Sequence, residues 1–282
     1  MRHIRFSVLI SILLIAGLAL ARERMNIDET YHITGPRLTV EIDVDGGQVQ
    51  VKRSESDTDC HVWLEYNPNK SNADVQFNER TNELKISVDH ENWSIVNKGD
   101  DENFVKVVVE LPLAPQIDLD ADVKAGEMKL QLGGIHLRNF ELRNLAGEVN
   151  VDFDQPNKSE LETLDVNCKV GELTLSRLGN ANFSEADINS GIGEVSIDFL
   201  GEKIRRAMVH IDLDIGETRI VLPKELGVKM KVSKFLFLSN VSYPNWFDKK
   251  GKYYFSKNYK ETKESLYLTI STGIGELGIE VE

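Results

Sequence analysis

A three-residue signature, a small or aliphatic residue followed by Gly and Glu, recurs along most of this 282-residue chain and limits what it can become. It occurs as Ala125-Gly126-Glu127, Ala146-Gly147-Glu148, Val170-Gly171-Glu172, Ile192-Gly193-Glu194, Ile215-Gly216-Glu217 and Ile274-Gly275-Glu276, with a degenerate early copy at Gly46-Gly47-Gln48. From Gly126 through Gly147, Gly171 and Gly193 to Gly216 the glycines return at a near-constant interval. Such a period means one supersecondary unit copied many times, too small to bury a core alone and obliged to stack on its neighbours.

Each copy has the same grammar. Phe140-Glu141-Leu142-Arg143-Asn144-Leu145 leads into the signature and Val149-Asn150-Val151-Asp152-Phe153 leads away from it. Both runs alternate with the period of two that gives a strand one apolar and one wet face. The predicted fold is therefore all-β, a solenoid-like stack of about 22-residue two-strand repeats with Gly-Glu corners. Gly126, Gly147, Gly171, Gly193, Gly216 and Gly275 are predicted as structural turn residues. A corner that keeps two inward faces aligned needs positive φ or an unusually close backbone approach, and glycine supplies either at least cost.

The glutamates are harder to place. Stacked in register, Glu127, Glu148, Glu172, Glu194 and Glu217 would form a column of like charges about 4.8 Å apart, an unfavourable arrangement unless something offsets it. Two readings stay open. In one, the column holds Ca²⁺ or another hard cation, helped by Asp152, Asp154, Asp198, Asp212 and Asp214. In the other, each glutamate caps backbone amides at its own turn and is screened by water and salt. The second is the expectation, because no loop with the ligand spacing of a calcium site is visible, and no cofactor is called for.

Residues 22–115 read as degenerate β-repeats and 116–222 as regular ones. Residues 223–282 read as a capping β-region continuous with the stack, because the interval from Gly216 to Gly275 is more than twice the usual one. That gap holds an apolar run at 235–238, then Tyr243, Trp246, Phe247, Tyr253, Tyr254, Phe255 and Tyr259 beside Lys249, Lys250 and Lys252. Capping is the leading reading for it. The alternative is a recognition surface that stacks on sugar rings or meets a partner protein. Cys60 and Cys168 share strand parity with apolar neighbours, so they read as small buried hydrophobes ahead of a disulfide. The polar stretches 67–72 and 97–103 read as exposed loops.

Residues 1–21 have the form of a secretory signal peptide: basic Arg2, His3 and Arg5, an apolar run from Phe6 to Leu18, and Ala19-Leu20-Ala21 at the cleavage point. Removing them leaves 31 basic and 46 acidic residues, a net charge of −15. That balance argues against nucleic acid and makes anionic lipid a poor partner, and no firm membrane insertion is expected after cleavage. Nucleophile-elbow, metalloprotease, phosphate-loop and paired-cysteine zinc patterns are missing from the sequence. His32, His61, His90, His136 and His210 are scattered without a close pair, and the sequon Asn92-Trp93-Ser94 is read as chance.

The Gly-Glu signatures are joined by a strand from Val105 that ends in Leu111-Pro112, and by Ile220-Val221-Leu222-Pro223. The tail adds Gly251-Lys252-Tyr253, Ser256-Lys257-Asn258-Tyr259 and Gly273-Ile274-Gly275-Glu276-Leu277. On these residues the chain resembles the bacterial "putative adhesin" and "toast-rack" β-repeat proteins over nearly all of its mature length. The resemblance implies an exported solenoid-like fold, a cell-envelope or adhesion role, and distant kinship to the C-terminal domains of envelope-stress response proteins. It transfers no catalytic residue. The expected function is that of an exported non-enzymatic envelope protein, a structural or adhesin-like binding module in the periplasm, on the outer surface or outside the cell. Its partner would be an unknown envelope protein or glycan. A regulatory partner in envelope-stress sensing and a polysaccharide-acting enzyme are the other two readings.

Overall fold

The computed structural model describes residues 24–90, 104–234 and 239–282. The expected signal peptide, the loop at 97–103, the sequon at 92–94 and the apolar run at 235–238 lie outside them. The described strands are β1 (Met25–His32), β2 (Arg37–Arg53), β3 (Asp59–Tyr66), β4 (Ser71–Asn78), β5 (Glu83–His90), β6 (Val105–Leu111), β7 (Gln116–Gln131) and β8 (His136–Asp152). They continue with β9 (Thr163–Ser176), β10 (Glu185–Asp198), β11 (Arg206–Leu222), β12 (Gly227–Lys234), β13 (Ser239–Ser242), β14 (Phe247–Lys250), β15 (Tyr253–Ser256) and β16 (Ser265–Val281). All belong to one sheet, so the fold is an all-β solenoid-like stack.

Among the described residues, β2, β7, β8, β9, β10, β11 and β16 run parallel, side by side, and each carries one signature in its middle. The signature is therefore a bend inside one long strand, where two separate strands joined at a corner were expected. Chain length forces the bend. β8 starts opposite the start of β7, yet only the short link from Gln131 to His136 brings the chain back, a reach of at most about 18 Å, against about 50 Å for β7 laid out straight.

The bend also changes parity. In β7 the inward residues are Ile117, Leu119, Ala121 and Val123, and after the bend Met128 and Leu130. Residues five apart face opposite sides of an ordinary strand, yet Val123 and Met128 are both buried. The same spacing recurs at Val44/Val49, Asn144/Val149, Cys168/Leu173, Ser190/Val195 and Leu213/Thr218. One glycine at positive φ per strand supplies the switch, and both arms then face a core closed on the third side by buried Leu132, Ile135, Phe153, Leu161, Phe183 and Phe199. Asn157 ties these closing segments together: its side chain accepts from the amide of Leu137 (2.9 Å) and donates to the Leu137 carbonyl (2.7 Å).

Both ends of the stack reuse the bent strand in broken form. β5 pairs the first arm of β2 and β6 pairs its second, with 91–104 between them. At the far end β12 pairs the first arm of β16 and β13 its second. Antiparallel strands then close each end, β4, β3 and β1 on one side and β15 and β14 on the other. β16 lies between β11 and β12, so the chain skips one strand position and returns to fill it. Cys60 in β3 and Cys168 in β9 are both free and buried, and burial pushes both thiols up to about 12. With β6, β2, β7 and β8 between their strands they are about 24 Å apart, far outside disulfide reach.

Candidate functional site

The shared bend brings three rows of residues to one outer edge. The first is Gly47, Gly126, Gly147, Gly171, Gly193, Gly216 and Gly275, neighbours in register with φ from +127° to +148°. A Cβ on Gly193 would sit 1.7 Å from the carbonyl oxygen of Gly171, and every glycine from Gly126 on meets its predecessor in this way at 1.7–1.9 Å. Conformation and contact thus demand glycine independently.

The second row is Gln48, Glu127, Glu148, Glu172, Glu194, Glu217 and Glu276, so the column runs one strand further at each end than the five glutamates foreseen. Gln48 Nε2 donates to Glu127 (3.3 Å) and Asn150 Nδ2 to Glu148 (2.7 Å). Among the described residues no hydrogen bond joins these glutamates to backbone amides, since strand pairing runs through the bend. The expected capping role is therefore replaced by outward display. Among the described residues no three His, Cys, Asp or Glu side chains converge closely enough to hold a metal ion. Three of the five acidic neighbours are engaged elsewhere: Asp154 takes both terminal nitrogens of Arg53 at 2.9 Å, Asp152 takes Arg177, and Asp198 accepts from the amide of Leu200 (2.7 Å).

The third row precedes the glycines: Ala125, Ala146, Val170, Ile192, Ile215 and Ile274. The last four are 43–52 % exposed on adjacent strands, a continuous aliphatic ridge beside the acidic one.

A different surface occupies the β14 end. Phe247 and Tyr254 turn inward and are buried, so part of the aromatic group closes the core. The rest is half-buried or exposed, with Trp246 still packed against the core, and lysines approach these rings as well as the rim of Tyr254. Lys229 Nζ sits 4.4 Å from the ring centre of Tyr253 and 4.7 Å from that of Tyr267, Lys252 is 5.4 Å from Tyr253, and Lys249 is 5.3 Å from Tyr254. Lys224 and Lys257 approach Trp246 at 5.8 and 6.0 Å. Desolvation would raise the Tyr253 phenol, but Lys252, the hydrogen bond with Tyr267 and Lys229 outweigh it and hold the group below its ordinary range.

The sequence profile described as the N-terminal domain of toast_rack, DUF2154, matches residues 22–163, half of the chain. The chain belongs to the toast-rack family. No curated protein sequence matches this toast-rack protein. Among solved structures it is similar to a putative cell adhesion protein from Clostridium sporogenes, at 16 % identity over 92 % of this chain and 100 % of that one, with a TM-score of 0.46. It is also similar to a putative adhesin from Bacteroides fragilis (13 % identity, 92 % and 98 % covered, TM-score 0.41) and a putative lipid binding protein from Parabacteroides distasonis (10 %, 90 % and 96 %, 0.27). Among the described residues of the toast-rack chain no helix is long and apolar enough to cross a membrane.

The histidines do not gather: His32 pairs with Asp59 (2.8 Å) and His61 with Asp28 (2.8 Å) across the exposed β1–β3 ladder. Sequence reasoning missed the exposure of Val170, Ile192, Ile215 and Ile274, and the part Lys229 and Tyr267 play at the end. Alternation along the first arm pointed the other way: Val170 follows buried Leu164, Val166 and Cys168 in the same parity, and only the bend turns it outward.

Proposed function

We propose that this toast-rack protein is an exported, non-enzymatic binding module of the cell envelope that meets a partner protein along its bent edge. The ridge of Val170, Ile192, Ile215 and Ile274 carries this reading. Four half-exposed branched side chains in register are unfavourable to leave in water, and a folded monomer gains nothing from aligning them outward. Set beside Glu172, Glu194, Glu217 and Glu276, they fit a partner with its own aliphatic strip flanked by lysine or arginine. The stack holds the ridge rigid, so little side-chain or backbone order has to be gained on contact.

Cell fractionation combined with crosslinking from the edge tests the reading. A photo-crosslinking residue at Ile215 is expected to trap one envelope protein, in cells that carry the processed chain in the envelope or the medium. A chain retained in the cytoplasm with residues 1–21 attached, or turnover of any cell-wall glycan by the purified protein, would refute it.

A further inference from the structure

We infer that the β14 end of the stack is a docking face for an anionic phospholipid surface, a partner that rests on the envelope reading above. The charge of the whole chain conceals a strong segregation. Residues 224–263 contain ten lysines and three carboxylates, a formal charge of +7, so the remaining residues carry −20 of the total −13. This basic segment includes β12, β14 and β15, which follow one another to the terminus of the sheet. One blunt end of an acidic stack is therefore basic.

The lysines there are more than edge protection. Charged side chains on a short edge strand discourage pairing with other chains, which accounts for Lys249 and Lys250 on four-residue β14. It does not account for Lys224, Lys252 and Lys257, exposed outside that strand and placed over aromatic rings. Ammonium groups held over Tyr and Trp are positioned before any ligand arrives. Lysines interleaved with Tyr and Trp are also the mixture that suits the interface between water and anionic headgroups, where the bases meet phosphate and the rings lie at headgroup depth. The depressed Tyr253 phenol reports the same positive field. Charge complementarity selects the occupant, and the acidic body selects its pose. A negative membrane repels the stack along its length and attracts it only at this end, so contact stands the stack upright on the surface, with the bent edge facing sideways and free.

Co-sedimentation of the purified mature chain with phosphatidylcholine vesicles, with and without phosphatidylglycerol, tests the proposal. Binding is expected only with phosphatidylglycerol, weakening with added salt. Combined Lys224→Gln, Lys252→Gln and Lys257→Gln is expected to reduce it at least about tenfold. Lys129→Gln, on the acidic body, should leave it unchanged, and circular dichroism should show all variants folded. Equal binding to both vesicles, no binding to either, or undiminished binding by the triple variant would overturn the proposal. So would binding of soluble polyphosphate without binding of vesicles, which would assign the lysines to a free polyanion. None of these failures touches the edge crosslink or the cellular location, so the two readings fall separately.

Discussion

At the residue scale the glycine row does the most with the least. Gly171 has φ +127° and an added Cβ would lie 1.9 Å from the Gly147 carbonyl oxygen. Gly171→Ala therefore meets both a conformational cost of about 1–3 kcal/mol and a backbone clash that no rotamer relieves. The expected loss is about 3 kcal/mol or more by chemical denaturation. Gly278→Ala is the internal control, because its nearest neighbour would be 3.7 Å away, and it is expected to change stability by less than about 0.5 kcal/mol. The positions of these glycines were legible in the sequence because the need is local and repeats at each turn. The partners of the glutamates were not legible. Outward display and amide capping demand the same residue type at the same place, and only pairing through the bend decides between them.

At the scale of elements, in-register parallel pairing has an electrostatic consequence. Pairing β8, β9 and β10 in register places Glu141, Asp165 and Asp187 side by side on the outer face. Desolvation, with Asp187 and Glu141 adding repulsion, raises the Asp165 carboxyl above its usual range, and Arg143 only partly opposes this. A folded pKa above the unfolded one means that ionisation disfavours the native state at pH 7, whereas below about pH 4 both states are protonated and the difference vanishes. Asp165→Asn is therefore expected to raise the melting temperature slightly at pH 7 and to leave it unchanged at pH 3. Equal gains at both pH values would show that ionisation of Asp165 is not the cause. The alternating pattern made each of these strands legible one at a time. Which acids become neighbours depends on register, and register was readable only where the Gly-Glu signature fixed it.

At the scale of the molecule, the sequence pattern broke where the chain does something non-local. The long interval between Gly216 and Gly275 reads as a lost period, yet the two glycines are neighbours, because β16 returns to the position that β12 passed over. Periodicity counts positions along the chain and cannot report a skipped strand, although the intact Ile274-Gly275-Glu276 signature carried the information that this strand must stack on another like it. The consequence is mechanical. β12 is paired only to β16 and β15, and β14 only to β15, so among the described strands the whole basic end hangs on β16. In a stack each strand is held by its neighbours, and damage at one interface spreads chiefly to what lies beyond it. A Cβ on Gly275 would sit 1.8 Å from the Gly216 carbonyl oxygen, so Gly275→Val strikes the one interface joining the end to the body. Native-state proteolysis of that variant is expected to remove the segment beyond Leu222 while β2 to β11 persist as a resistant fragment. Loss of the body at the same rate as the end would mean that the stack folds as a single cooperative unit in which the bent strands are not independently supported.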